Sequence, residues 1–307
     1  MRILVSGSTG FVGTSLVQAL ERDGHTVARL MRPESSRPGA DGQQGQIVRW
    51  DPVNGQFDAP AAEGADVLVH LAGASIAGGR WNAARKSLLR TSRLDATRHL
   101  IGALSRLQRP PGVIVAASAI GYYGDRGDET LAESSALGDD FLSALCREWE
   151  AESARGAEFG ARVVMLRFGI ILATHGGALA RMLLPFKLGV GGRLGSGRQW
   201  MSWLTLDEAV GIVKFALASS ALSGPVNAVT PHPVQNIDFT HILARALHRP
   251  ALFPAPAFAL RVALGEMADA LLLVSQRVVP TKLQQAGYRF AHPDLATALQ
   301  GLLGRAT

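Results

Sequence analysis

The chain has 307 residues, 47% hydrophobic and 18% charged, which is enough apolar material for one large domain or a domain with a smaller lobe, and too much for a disordered chain. Its net charge of +6 comes from 27 arginines and four lysines, scattered without a basic block or interleaved aromatics, which argues against nucleic acid as a partner. No apolar run reaches membrane-spanning length, no signal-peptide layout precedes the first strand pattern, and a lone cysteine, Cys146, excludes an internal disulfide; a cytoplasmic protein with no membrane contact is expected.

In chain order, "RILVSG" (2–7) reads as a buried strand, Phe11 to Arg22 as a helix ended by Gly24, and "TVARLM" (26–31) as a second strand. "GQIVRW" (45–50) and "ADVLVHLAG" (65–73) supply a third and a fourth. A helix from about Arg90 to Leu107 precedes a fifth, "GVIVAASA" (112–119). Asp139 and Asp140 are placed to cap a helix in which Phe141, Leu142, Leu145 and Trp149 repeat at helical spacing, and "ARVVMLRFGIIL" (161–172) is a sixth strand. Strand alternating with helix predicts an α/β, Rossmann-type doubly wound parallel sheet. We expect that domain over 1–174, its sheet completed by parts of 200–232, where "GPVNAVTP" (224–231) reads as strand and turn. A smaller substrate lobe is expected over 175–307, with a C-terminal module at 249–302.

"SGSTGFVG" (6–13) places Gly7, Gly10 and Gly13 directly after a strand and at the opening of a helix, the context that makes a glycine motif credible for a dinucleotide. Backbone from Gly7 through Ser8, Thr9, Gly10, Phe11, Val12 and Gly13 would cradle the pyrophosphate at a helix N-terminus, with hydroxyl donors from Ser8 and Thr9. Arg32, at the tip of the second strand, suits the 2′-phosphate of NADP(H) better than the ribose hydroxyls of NAD, although Glu34 lies close by. Leu71, Ala72 and Gly73 end the fourth strand at the sheet's carboxyl edge and would line the cofactor, with His70 before them as a packing residue. No histidine pair has metal spacing, so no metal is expected.

These pieces resemble the extended short-chain dehydrogenase/reductase superfamily of NAD(P)-dependent epimerases and dehydratases, and within it the "epimerase family" subgroup of YfcH-like proteins. The resemblance rests on "GSTGFVG", "HLAG", "SAIGYYG", "GGALARMLLPFKLGVGGRLGSGRQWMSW", "GPVNAVTP" and the tail "PAFALRVALGEMADALLL…VVPTKLQQAGYRF", and it covers the whole chain. It implies a serine, a tyrosine that exchanges a proton with substrate, and a lysine four residues later that lowers the phenol pKa. Ser118 matches the serine, but Phe141 and Leu145 stand where tyrosine and lysine belong, and the chain contains no Tyr-x-x-x-Lys at all. An unaided phenol with a pKa near 10 is about 0.1% ionised at neutral pH, and positioned acid–base catalysis ordinarily supplies roughly 10²–10⁴-fold.

Two readings stand. In the favoured one, an NADP(H)-dependent oxidoreductase of a small carbonyl or hydroxyl substrate has a rebuilt proton donor, Tyr122 or Tyr123, with Ser118 orienting the carbonyl, Arg93 or Arg167 depressing the phenol, and Cys146 either near the site or a buried inert thiol. In the other, the fold binds NADP(H) and signals through a protein partner. The resemblance also places Leu88 and Arg93 near the nicotinamide end and Arg198, Gln199, Trp200 and Trp203 at the substrate, the tryptophans serving alternatively as core between lobes, while Arg167 at the sixth strand's end points toward the carboxyl edge as a further cofactor residue. Asp207 reads as a helix-cap or packing carboxylate. A monomer or homodimer is expected.

Overall fold

A computed structural model describes residues 1–33 and 46–304; Glu34 and Gly45 lie outside them. Seven short strands form one parallel sheet: β1 (Arg2–Ser6), β2 (Thr26–Met31), β3 (Gln46–Arg49), β4 (Val67–His70), β5 (Val113–Ala119), β6 (Arg162–Phe168) and β7 (Gly224–Ala228). Their spatial order is β7-β6-β5-β4-β1-β2-β3, so the order reverses between β1 and β4 and leaves a crevice at their carboxyl ends. Burial on both faces explains why these strands read as continuous apolar runs. Ile3, Val5, Val69 and Val115 join one apolar cluster, whereas Leu4, Leu68 and Ile114, one residue out of phase, join the cluster on the opposite face.

Two sequence expectations change. The single strand over 161–172 is broken at Gly169, where a Cβ would stand 2.5 Å from the Ser202 carbonyl oxygen. Beyond the break, Ile170–Ala173 leaves the sheet and pairs in parallel with Trp203–Thr205. The single helix over 90–107 is instead two, Ala83–Thr91 and Leu94–Leu104. At the joint, the Ser92 hydroxyl donates to the Leu89 carbonyl and accepts from the Ala74 amide, and the chain steps sideways at Arg93.

A third apolar cluster lies outside the seven-stranded sheet. Leu179, Leu183 and Phe186 of the Gly177–Lys187 helix meet Trp203, Phe239, Leu243, Leu295 and Leu299. A fourth lies over the sheet's carboxyl edge and joins Trp81, Leu89, Leu142, Leu145 and Trp149 to Met267, with Phe141, Ala117, Leu264 and Leu271 packed around it. Burying each such large side chain stabilises the fold by roughly 1.5–3 kcal/mol. Leu100 has no exposed surface in the second cluster. Leu100→Ala is expected to lower stability by about 2–5 kcal/mol, seen as a lower urea midpoint with an unchanged denaturant slope.

Candidate cofactor and active site

At the crevice the glycine loop and the segment after β4 touch through backbone. Gly7 has φ +69°, and a Cβ on it would lie 2.9 Å from the Ala72 amide nitrogen and the Leu71 carbonyl carbon. A Cβ on Gly13 would fall 2.0 Å from the Gly7 carbonyl oxygen. Gly7 and Gly13 are therefore required by backbone shape or space, and at Gly10 a Cβ would sit a tight 3.1 Å from that oxygen. The Phe11–Arg22 helix opens at Gly10 with no side-chain cap, which leaves its first N–H groups and positive dipole end for an anion. The Phe11 ring packs on Gly176 and edge-on to His175, tying this loop to the start of the Gly177–Lys187 helix. Thr9 is exposed, whereas the Ser8 hydroxyl is buried against the Met31 sulfur and is not turned to the crevice. Arg32 is exposed just beyond β2.

Beneath the loop, Ser6 Oγ meets His70 Nδ1 at 2.6 Å and accepts from the Leu71 and Ala72 amides. His70 Nε2 lies 2.9 Å from Thr97 Oγ1, which also accepts the Trp149 indole N–H. Burial without a counter-charge pushes the His70 pKa down to about 4. His70 is thus a structural post for the two loops, as expected from its position. Arg93 reaches under Gly73: its guanidinium carbon lies 3.2 Å from where a Gly73 Cβ would stand. It donates to the Leu89 and Ala74 carbonyls, stacks 5.0 Å from the Trp149 ring, and pairs with no carboxylate among the described residues. Burial brings its pKa down to about 10. A buried cation thus sits beside Gly73, satisfied only by carbonyls.

Ser118 does not face a substrate. It is 4% exposed and its hydroxyl donates to Glu150 Oε1 at 2.6 Å. Both Glu150 oxygens also accept from Arg167, each at 2.8 Å, and Arg167 Nη1 donates to the Tyr123 oxygen. Tyr123 in turn donates to Asn227 Oδ1 at 2.6 Å. Two expectations are corrected here. Arg167 is 2% exposed and held by Glu150, so it is a structural cation rather than a cofactor ligand; burial opposes its charge, but the carboxylate wins and raises its pKa. Tyr123 is fully buried, and desolvation raises its phenol to about 12 despite Arg167 beside it, so it is no proton donor to a substrate. The Arg167 guanidinium lies 3.4 Å from the centre of the Tyr122 ring, which is half-buried. Cys146 is buried, and desolvation, with Glu150 adding to it, pushes its thiol up to about 12, the inert alternative.

The places of the missing pair are occupied by core. Leu145 is 1% exposed in the cluster with Trp81 and Met267, and the Phe141 ring stands edge-on to Trp81 at 5.5 Å. Asp140, not Asp139, caps this helix by accepting from the Ser143 amide. Of the substrate-lobe residues, Trp203 is fully buried and its indole donates to the His232 carbonyl, which makes it core. Gln199 donates to the Leu194 and Leu272 carbonyls and so fastens the loop to the C-terminal segment rather than facing a ligand. Trp200 donates to Asp128 and is covered by Arg277 at 4.4 Å; Arg198 and Leu88 are exposed. Thr205 caps the Leu206–Ala218 helix, with Asp207 in its first turn.

Sequence reasoning passed over Glu150 and Lys86. The first had a detectable mark: Glu150 lies on the stripe of Leu142, Cys146 and Trp149, and a carboxylate there requires a buried partner. Lys86 is one of only four lysines. Its Nζ lies 5.0 Å from the Phe141 ring centre and 2.6 Å from Glu266 Oε2.

Residues 3–228 match the model of the NAD dependent epimerase/dehydratase family. The chain belongs to this family. Residues 255–302 match a second model, described as a domain of unknown function (DUF1731). Among relatives of this epimerase-family chain, Epimerase family protein Mb2239 of Mycobacterium bovis is 40% identical over 97% of this chain and 96% of its own, and Epimerase family protein SDR39U1 of Bos taurus is 37% identical over 99% and 100%. Human epimerase family protein SDR39U1 (isoform 2), solved with NADPH, superposes with a TM-score of 0.88 at 34% identity over 99% of both chains. A nucleoside-diphosphate sugar epimerase from Corynebacterium glutamicum gives 0.79 at 33% identity over 99% of this chain, which spans 58% of that one.

Two outcomes follow from the buried groups. Removing the cation in Arg167→Met strands the Glu150 carboxylate and is expected to cost about 3–5 kcal/mol by denaturant unfolding, whereas Arg167→Met with Glu150→Met recovers most of it. His70 stays neutral in the folded state down to about 4 but takes a proton near 6.5 once unfolded. Its contribution is therefore complete above pH 6.5 and is lost as pH falls from 6.5 to 4, by about 3 kcal/mol. His70→Gln should remove that part of the stability–pH slope.

Proposed function

We propose that the chain is an NADP(H)-dependent oxidoreductase that acts on a small carbonyl or hydroxyl compound without the tyrosine–lysine pair. The observation that carries this reading is the backbone cradle, in which Gly7 and Gly13 leave no room for a Cβ, Gly10 is tight, and the adjoining helix start remains uncapped. Residues 7–13 would hold the pyrophosphate, and the Leu71–Gly73 backbone the face of the dinucleotide. Arg93 offers a desolvated cation beside Gly73, and exposed Arg32 a guanidinium for a 2′-phosphate. The human relative solved with NADPH supports the same cofactor here. When bound, NADPH supplies a hydride. Phe141, Trp81 and Ala117 pack in one apolar cluster, which would exclude water from a reacting end set against it and strengthen any charge there.

One observation favours a second reading. Leu145 is sealed in core, so the fold has closed over the lysine's place. A protein that binds NADP(H) and reports its presence to a protein partner needs the cradle but no proton donor.

Tryptophan-to-nicotinamide energy transfer in a titration with NADPH and NADH tests the common part of both readings. A charge-assisted bond from Arg32, roughly 1.5–3 kcal/mol, gives NADPH about a ten- to hundredfold advantage that Arg32→Ala removes. Absence of binding by either nucleotide would end both. Consumption of NADPH with a carbonyl panel selects the enzyme; binding without consumption selects the sensor.

A further inference from the structure

We propose that the substrate is an amphipathic anion, whose carboxylate or phosphate group is held by arginines gathered around residues 74–80 and whose apolar body lies along two exposed helix faces that meet there. This rests on the enzyme reading above and names its substrate class. Residues 74–79 continue directly from the Leu71–Gly73 backbone, which touches Gly7. Their carbonyls are taken one after another by side chains: Arg93 donates to Ala74, Arg85 to Ser75, the Trp81 indole to Ile76 and Arg181 to Ala77. Arg80 ends the row, its Nε 3.1 Å from where a Gly265 Cβ would stand.

These cations are uncompensated. Residues 67–94 and 159–206 contain no aspartate or glutamate. Among the described residues none of Arg80, Arg85, Arg93 and Arg181 makes an ion pair, while Glu148, Glu266 and Asp269 are already held by Arg90, Lys86 and Arg261. Burial first, and then the like charge of Arg85, disfavours the Arg93 cation. A guanidinium is a fork of several N–H donors. Arg181 spends a single one on the loop, and the buried Arg85 Nε has no partner. Spare donors in a field of one sign suit an anion, and the planar fork suits a carboxylate or a phosphate.

The apolar body follows from two helices that leave this loop and return to it. The Gly177–Lys187 helix starts against the Phe11 ring, sends Arg181 to Ala77, and turns Leu179, Leu183 and Phe186 inward. Leu184 and Leu188 stand at helical spacing from Arg181, on its outer side. Beyond them the chain pairs with 253–255: the Phe253 amide donates to Gly191, the Ala255 amide to Arg193 and the Gly195 amide to Ala255. From there the Ala257–Leu264 helix runs back to Gly265, beneath Arg80. Every residue of that helix except Arg261 is apolar, and none is buried. Leu184, Leu188, Phe258 and Val262 are each at least 66% exposed. Helix faces this apolar are ordinarily covered. A surface that is apolar along its length, and cationic where it meets the cofactor-lining loop, matches a ligand with an apolar body and one anionic end.

The probe is anilinonaphthalene sulfonate, an apolar ring system with one anionic group, titrated into NADP⁺-loaded protein. Decanoate or decyl phosphate is expected to displace it where decanol and acetate at the same concentration do not, and the stronger of the two identifies the head group. Arg80→Met with Arg181→Met should weaken the probe about ten- to hundredfold, and Phe258→Ser with Val262→Ser roughly tenfold or more. All four side chains are exposed, so both variants should fold and keep energy transfer to NADPH. Displacement by decanol as strong as by decanoate overturns the inference, as does either double variant that binds the probe like the parent. A dimer in sedimentation that Phe258→Ser with Val262→Ser makes monomeric also overturns it, by assigning the face to a second copy. Failure of NADPH to bind the parent removes the enzyme reading first, an outcome distinguished by the absent energy transfer.

Discussion

The approach of Gly7 to the peptide between Leu71 and Ala72 is the constraint on which the remaining geometry hangs. It fixes the depth of the crevice between β1 and β4, because neither loop can carry a side chain into the gap. Ser6 and His70, one on each strand, brace the gap from below with a 2.6 Å contact. Arg93 then enters from the side, under Gly73, because the chain breaks between two helices at that residue. Close packing of backbone on backbone, braced by a neutral histidine, fixes the shape of the crevice.

Polar residues near the cleft have been drawn inward. Glu150 gathers Ser118 and Arg167, and Arg167 gathers Tyr123. Breaking such a pair costs far more than the pair contributes, so these residues act as one unit that sets the end of β5 and β6. Ser118, Tyr123 and Arg167 are thereby held by Glu150 and Asn227 rather than left open to the cleft. Beside Gly73, Arg93 remains as a cation whose partners are carbonyls.

The doubly wound sheet was legible because burial on both faces writes each strand as an unbroken apolar run. The glycine loop was legible because three glycines at fixed offsets have a steric cause. Breaks were harder. Gly169 inside "RFGIIL" looks like a strand residue until Ser202, more than thirty positions away, is seen to fill its Cβ space. Trp203, Gln199, Tyr123 and Arg167 carry functional side chains by type, and only the fold shows that their hydrogen bonds are spent on neighbouring carbonyls, amides and carboxylates. Phe141 and Leu145 announced a missing pair, but that residues 264–271 cover them is a long-range contact with no local trace.

The break at Gly169 also bears on how the chain is made. β7 enters the sheet only at residue 224, after the excursion through 170–205, and Met267 covers the Trp81–Phe141 cluster later still. During synthesis from the amino terminus, β1 to β6 can pair while β6 keeps an open edge. For that interval the growing chain displays an unpaired strand and an uncovered aromatic patch, the two surfaces that chaperones bind and that aggregation exploits. The open edge closes when β7 pairs, and the aromatic patch is covered only once residues 264–271 have followed.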